Sequence, residues 1–374
     1  MNKTLSSTHR LKLRALATQR VYALKMVMQP PTLVALTDKG EARVRFGDSV
    51  FDENYLALIR DYLADTFLDG HGSYPGHLSR WRRIAGGGRN VDRLLLLADP
   101  EAVVAVAHSS GISATVAGYA WWACQSFEIA VGLLSVKGVA KQQLGKDLAR
   151  YITEFLPFQE DPVMVARAVS LINHPELLSR EDRQRLFSQS RRRNPYSVGF
   201  FLGESAYYPD TQPVHPLRAE LEVFAQTNNL AKNAVILTIL ELLSPPGQNS
   251  LVAMKAALSK PVDREVVTLV FSRLETLVAI PGLLPEKGMD HSRIDDRVEK
   301  VSGDISHDLG RVRQLADQRV WRWAMSAARL SLLGESVLDP IFAGKTFSGS
   351  VMRKHLLDLT NLVTESCDPL LKPV

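Results

Sequence analysis

The hydrophobic pattern of the chain changes its period once, near Asp52. Upstream, residues 42–46 alternate between apolar and basic side chains, which is the period of a half-buried β-strand. Downstream, apolar residues recur at spacings of three and four, beginning with Tyr55, Leu58 and Ile59, which is the period of an amphipathic helix. This change predicts a mainly α protein of stacked helical hairpins, α-solenoid-like, with a small N-terminal β-hairpin.

The predicted hairpin lies within the segment that precedes Asp52. Thr32–Thr37 and Glu41–Phe46 flank a short polar turn, in which Gly40 can adopt a positive φ. Val21–Met28 is either a third strand or the end of a helix, because so short an apolar run fits both periods.

Capping residues and prolines mark the predicted helices. Asp99-Pro100 and Asp161-Pro162 each place a carboxylate before a proline at the first helical position. The strongest single helix is predicted over Asp263–Ala279, which has one apolar face and is followed by Pro281-Gly282. Residues 294–312 have an interrupted heptad-like spacing, which favours a packed helix hairpin over a coiled coil.

Composition divides the chain into four segments. Three prolines between Pro209 and Pro216 exclude a helix there and predict a linker. The predicted segments are a basic N-terminal arm with the β-hairpin (1–52), a helical domain (53–205), the proline-rich linker (206–217) and a C-terminal helical domain (218–374).

The distribution of charge is more informative than its total. The net charge of +5 is small for 374 residues and does not by itself indicate nucleic acid. Residues 1–37, however, contain six lysines and arginines and no acid. A second basic cluster comprises Arg80, Arg82, Arg83, Arg89 and Arg93. A third comprises Arg191–Arg193, which follow Arg180, Arg183 and Arg185 in the sequence. The clustering predicts an anionic partner, either RNA or an acidic protein surface.

Two segments combine arginine with tryptophan, namely residues 80–83 and residues 319–323. Such pairs bind single-stranded nucleic acid by placing arginine on phosphate and an aromatic ring on a base. The alternative is that each tryptophan anchors its helix in the core while arginine covers it. The partner- or RNA-binding candidates are Arg80, Trp81, Arg82, Arg83, Arg191, Arg192 and Arg193.

No motif in the sequence identifies a reaction. GxSxG and HExxH are absent, and no cysteine–histidine cluster is present, so no catalytic residue, metal or cofactor is assigned. His291 and His307 lie in a segment rich in aspartate, which keeps a metal-dependent hydrolase as an alternative. Cys124 and Cys367 are far apart and are expected to be free, buried thiols of a reducing compartment.

The sequence favours a soluble, cytoplasmic protein. No apolar run reaches the length of a membrane span, and the N-terminus lacks the apolar region of a secretory signal. The acid-free N-terminus also fits a mitochondrial transit peptide, while a solvated basic arm explains the same composition.

Several short segments follow one another in order along roughly residues 20–205. They are the Thr37–Val44 hairpin, Gly72-Ser73-Tyr74-Pro75 with Arg80-Trp81, Leu94–Leu97 with Pro100–Val106, Tyr119–Ala123, Glu154–Phe158, and Arg192-Arg193-Asn194 with Val198-Gly199-Phe200. Together they resemble the DsrS family, whose genes lie beside those of dissimilatory sulfite reductase in sulfur-oxidising bacteria. The resemblance implies the bacterial cytoplasm and a role in sulfur oxidation, and it supplies no active site.

The sequence as a whole predicts a non-catalytic accessory or regulatory protein of bacterial sulfur oxidation. It would act by binding a protein of that system, or RNA, through basic helical faces. A dedicated RNA-binding post-transcriptional regulator and a metal-dependent hydrolase are the two alternatives.

Overall fold

The computed structural model describes residues 4–47, 51–68, 90–343 and 348–371. These residues are mainly helical, with one three-stranded antiparallel sheet near the N-terminus. The predicted mainly α class with a small N-terminal β element is therefore confirmed. Within the described ranges, no helix is both long and apolar enough to cross a bilayer.

The strands are β1 (Val21–Met28), β2 (Pro31–Thr37) and β3 (Gly40–Arg45). The helices are α1 (Ser7–Ala17), α2 (Glu53–Phe67), α3 (Pro100–Ala107), α4 (Ala114–Ala123), α5 (Phe127–Leu134), α6 (Gln143–Phe155), α7 (Pro162–Ile172), α8 (Arg180–Ser190), α9 (Asn194–Leu202), α10 (Arg218–Thr227), α11 (Ala234–Leu242), α12 (Pro245–Ser259), α13 (Arg264–Leu277), α14 (Ile294–Ser302), α15 (Asp308–Leu315), α16 (Gln318–Leu332), α17 (Asp339–Phe342), α18 (Gly349–His355) and α19 (Leu357–Leu371). Short 3₁₀ helices cover Val91–Leu97, Leu156–Phe158, Ser205–Tyr207, His291–Arg293 and Glu335–Leu338.

The chain forms two compact units, Met1–Pro157 and Phe158–Val374. The proline-rich segment 206–217 lies inside the second unit, so the units divide at a different place from the predicted domains. The backbone N–H of Gln212 donates to Asn249 Oδ1 at 2.7 Å, and that of His215 donates to the Leu243 carbonyl at 3.0 Å. Prolines here interrupt helices without separating the chain into independent parts.

In the first unit, the sheet has the order β1-β2-β3 and packs one apolar face against α1 and α2. Gly40 begins β3 with φ of +106°, as the predicted turn requires. Val21–Met28, which the sequence left open, is a strand. Strand β1 also contacts α4 and the 3₁₀ helix Val91–Leu97. The residues of the α1–sheet–α2 core include Leu13, Leu16, Leu24, Leu33, Val44, Phe46, Tyr55, Ile59 and Leu63.

In the second unit, helices that are distant in sequence pack together. Helix α9 contacts α7, α12 and α13, and α19 contacts both α12 and α16. Helix α13 matches the predicted helix closely, because Asp263 caps it by accepting from the Val266 N–H at 2.9 Å. Helices α14 and α15 contact each other on either side of Gly303, as predicted for a helix hairpin.

Candidate nucleic-acid interface

The predicted Arg191–Arg193 cluster divides into exposed and structural members. Arg191 and Arg192 are exposed at the end of α8. Arg193 is half-buried: its Nη1 donates to the Tyr196 hydroxyl at 3.2 Å and its Nη2 to the Gln159 carbonyl at 3.3 Å. Arg193 therefore holds the start of α9 in place, and Arg191 and Arg192 remain as candidates for partner binding.

The arginines that precede this cluster are also partly engaged. Arg183 Nη1 donates to the Tyr207 carbonyl at 3.2 Å, and Arg185 lies 3.6 Å from the Asp182 carboxylate. These contacts reduce the positive charge that this helix can offer a partner. Arg80, Trp81, Arg82 and Arg83 lie outside the described residues.

Of the two tryptophans at residues 319–323, Trp323 supports the core interpretation of that segment, whereas Trp321 is half-buried. Trp323 is 1% exposed, and its Nε1 donates to the Pro369 carbonyl at 2.9 Å. Arg319 pairs with Glu220 at 3.0 Å. Trp323 is thus a buried anchor of α16 and is not available to stack on a base.

The strongest concentration of positive charge is in the first unit. Residues 4–47 contain eight lysines and arginines and two acids, a formal net charge of +6 against +5 for the whole chain. Seven of the eight cations are exposed, and Lys25 is half-buried. This module therefore carries more net positive charge than the rest of the protein combined.

The sheet places three of these cations on one side. Lys25 is aligned with Val34 and, through it, with Arg43, while Arg45 lies two residues further along β3. Because side chains on one face recur every second residue, Lys25, Arg43 and Arg45 share a face. This face is opposite the one that packs on α1 and α2, and we call these three residues the basic face.

A β-bulge brings aromatic residues to the edge of the basic face. The register of β1 shifts between Val21 and Ala23, so Tyr22 is an extra residue in the strand. Tyr22 stacks on Tyr119 of α4, with ring centroids 4.9 Å apart and planes 17° apart. In a regular strand, two residues that are three positions apart point to opposite faces. Here the bulge directs both Tyr22 and Lys25 toward α4.

Trp122 is held between β1 and β3. The Lys25 Nζ lies 4.1 Å from the centroid of its ring and donates to its carbonyl at 3.4 Å. The indole Nε1 donates to Glu41 Oε1 at 3.1 Å. Tyr119 and Trp122 are three residues apart on α4 and therefore lie on the same side of the helix.

Glu41 links the indole to the basic face. Its second carboxylate oxygen accepts from Arg43 Nη2 at 3.0 Å. The hydrogen bonds from Arg43 and then from Trp122 lower the pKa of Glu41, so the carboxylate is ionised at neutral pH. The result is a network of two cations, one indole and one carboxylate on the surface of the first unit.

This arrangement has the chemistry of a nucleic-acid surface. The exposed guanidinium groups of Arg43 and Arg45 and the half-buried ammonium group of Lys25 suit phosphate, and fixed aromatic rings at their edge suit bases. The sequence showed the alternation of Arg43 and Arg45, but it did not indicate that α4 packs beside them. Residues 25 and 122 are distant in sequence, and a fully apolar helix gives no signal of which aromatic rings reach the surface.

The histidines and aspartates of residues 290–308 serve local structural roles. His307 Nδ1 accepts from the Leu309 N–H at 3.1 Å, and its Nε2 lies 2.9 Å from the Pro281 carbonyl oxygen. Asp295 accepts from Arg329 Nε at 2.6 Å. Across the residues that the structure describes, no group of three His, Cys, Asp or Glu side chains is arranged to hold a metal.

Both cysteines are free thiols. Burial raises the pKa of Cys367 to about 12. Burial, and secondarily the Asp99 carboxylate, raises the pKa of Cys124. A raised pKa keeps each sulfur in the unreactive thiol form at neutral pH.

Comparison of this chain with protein-family models, with curated proteins and with solved structures finds no match.

Proposed function

We propose that this protein is a non-catalytic RNA-binding accessory protein of bacterial sulfur oxidation that acts in the cytoplasm. The observation that carries the proposal is the net charge of +6 on residues 4–47, with Lys25, Arg43 and Arg45 aligned on one face of the sheet. The sulfur-oxidation context comes from the resemblance of the sequence segments to the DsrS family.

Phosphate binding by the basic face follows from exposure and geometry. The Arg43 side chain is 63% exposed, and its ion pair with Glu41 contributes little because both groups are solvated. Arg43 can therefore exchange Glu41 for a phosphate at little cost. Each phosphate that is neutralised releases a counterion, which makes binding depend on salt.

The proposal is tested with a variant in which Lys25, Arg43 and Arg45 are all replaced by glutamine. Binding of a fluorescently labelled RNA oligonucleotide is followed by anisotropy at several KCl concentrations. Three lost phosphate contacts correspond to a slope of log K against log [salt] that is shallower by about 2. An unchanged slope and affinity would contradict the proposal.

A matched control removes the same charge elsewhere. Lys232, Lys260 and Lys287 are exposed residues of the second unit, and their replacement by glutamine also lowers the net charge by three. We expect this control variant to retain the wild-type salt dependence. Equal loss in both variants would show that total charge, and not the basic face, governs binding.

A protein partner with an acidic surface is the second candidate, favoured by the exposed Arg191 and Arg192 at the end of α8. Affinity purification of the tagged protein, with and without nuclease, separates the candidates. A partner that survives nuclease and is lost when Arg191 and Arg192 are replaced by serine supports the protein candidate. Co-purifying proteins that disappear with nuclease support RNA.

A further inference from the structure

Gly118 lies in the middle of α4, where internal packing does not require a glycine. Among the residues that the structure describes, a Cβ atom at this position would have no heavy atom within 4 Å, apart from those of its chain neighbours and the backbone of its own helix. Alanine would therefore fit, and it forms helices better than glycine does. Because no contact among the described residues requires a glycine here, the position suits the close approach of a group from outside the protein.

Two tryptophans border Gly118 on the surface of α4. Trp121 and Trp122 are three and four residues further along the helix, and these positions are the nearest neighbours of residue 118 in the next turn. Side chains on a helix lean toward its N-terminus, so both indoles extend toward the level of Gly118. Both tryptophans are half-buried, which leaves part of each ring accessible.

Each indole is fixed from its far side. The Trp121 ring packs edge-on against Tyr151 of α6, with centroids 5.0 Å apart and planes at 82°. The Trp122 Nε1 donates to Glu41 on the sheet. The two rings are thus held by different elements, on either side of a helix position that has no side chain. We call the space above Gly118, between Trp121 and Trp122, the indole slot.

A flat aromatic group is the ligand that suits the indole slot. Indole rings bind bases by stacking, which is tolerant of base identity because every base has a π-face. Lys25, on the basic face, lies 4.1 Å from the Trp122 ring centroid and places a positive charge beside the slot. A base attached to a phosphate backbone meets both requirements, whereas a neutral apolar peptide side chain would leave the charge unused.

We propose that the indole slot receives one unpaired base of single-stranded RNA while the adjacent phosphates contact the basic face. This proposal rests on the proposed RNA binding and adds that the ligand is single-stranded. Duplex RNA keeps its bases stacked within the helix, so it can reach the basic face but cannot fill the slot.

The test is Gly118→Ala, which fills the floor of the slot and leaves every charge in place. Binding of a uridine-rich single strand and of a duplex of equal length is measured by anisotropy. We expect the variant to bind the single strand roughly 5- to 100-fold more weakly, in keeping with the loss of one stacked base. Duplex affinity should be unchanged, and the melting temperature should be equal to or higher than that of the wild type.

Gly303→Ala provides the matched control. Gly303 caps α14 in the second unit with φ of −76°, and a Cβ there would make an ordinary 3.5 Å contact with the Lys300 carbonyl. This variant should bind both RNAs like the wild type. Tryptophan fluorescence gives a second readout, because a stacked base should quench emission in the wild type and in Gly303→Ala but not in Gly118→Ala.

The outcomes separate the slot from the proposed function. If Gly118→Ala binds the single strand normally while neutralisation of the basic face weakens binding, the slot is overturned and RNA binding stands. An equal loss of duplex binding in Gly118→Ala would also overturn the slot, because its effect would not depend on an unpaired base. Wild-type protein that binds neither RNA would overturn both proposals.

Discussion

Replacing Glu41 by glutamine should make RNA binding tighter, although Glu41 is part of the proposed interface. The carboxylate lies 3.0 Å from Arg43 Nη2. A phosphate bound by the same guanidinium would therefore lie about 5–6 Å from the carboxylate, with like charge. At that separation in water the repulsion is weak and corresponds to roughly threefold in affinity.

Glutamine is chosen because it removes the charge and keeps the geometry. Its side-chain carbonyl can still accept the hydrogen bond that Trp122 Nε1 donates to Glu41 at 3.1 Å. The gain should be largest at low ionic strength and should fade as the Debye length shortens to about 10 Å at 0.1 M salt. The gain and its salt dependence therefore test the electrostatic account directly.

The assay is fluorescence anisotropy with labelled RNA at low and moderate KCl. Glu365→Gln is the matched control, since Glu365 is an exposed residue of α19 in the second unit. We expect Glu41→Gln to bind about threefold more tightly at low salt and the control to change little. Unchanged or weaker binding in Glu41→Gln would refute the placement of phosphate beside Arg43.

Three further predictions concern stability and reactivity. Burial, and secondarily Lys12, lowers the pKa of His9, so the folded state resists protonation of this histidine. The free energy of unfolding should therefore fall as the pH drops below about 6.5, and calorimetry should show less of this loss in His9→Gln. The raised pKa values of Cys124 and Cys367 predict that iodoacetamide at pH 8 leaves both thiols largely unmodified in native protein, as mass spectrometry can show. Ser331→Ala should destabilise the second unit by about 2–4 kcal/mol in urea unfolding, because it leaves a buried N–H and a buried carbonyl without their partner.

Each of these predictions has a matched comparison. For His9, an identical pH dependence in wild type and variant would contradict the account. For the cysteines, urea-unfolded protein should take up two adducts, and rapid labelling of native protein would show that burial does not protect them. For Ser331, the control is Ser259→Ala, an exposed serine that donates to its own helix at 2.8 Å and should cost little.

The elements that the sequence predicts well are those defined by local patterns. The hairpin predicted at Thr32–Thr37 and Glu41–Phe46 is found at Pro31–Thr37 and Gly40–Arg45. Helix α13 is found within two residues of its predicted ends. In both cases a capping residue, a turn glycine or an apolar period acts over a few positions, and no distant contact is needed.

The candidate site depends on contacts that local patterns do not contain. Trp323 and Trp122 both stand beside charged or apolar residues in sequence, yet Trp323 is buried and Trp122 is partly accessible. That difference is decided by which elements pack around α16 and α4. Likewise, the run Arg191–Arg193 looks uniform in sequence, and only tertiary structure shows that Arg193 binds Tyr196 and the Gln159 carbonyl.

The extra residue in β1 has a consequence for how this module can vary. Tyr22 and Lys25 contact the same helix only because the bulge lies between Val21 and Ala23. Deleting one residue there would restore strict alternation and turn one of the two side chains away from α4. The module should therefore accept many substitutions on its surface but tolerate no change of length within this strand. Among variants of the protein, the spacing from residue 22 to residue 25 is then a better marker of the interface than the identity of any single cation.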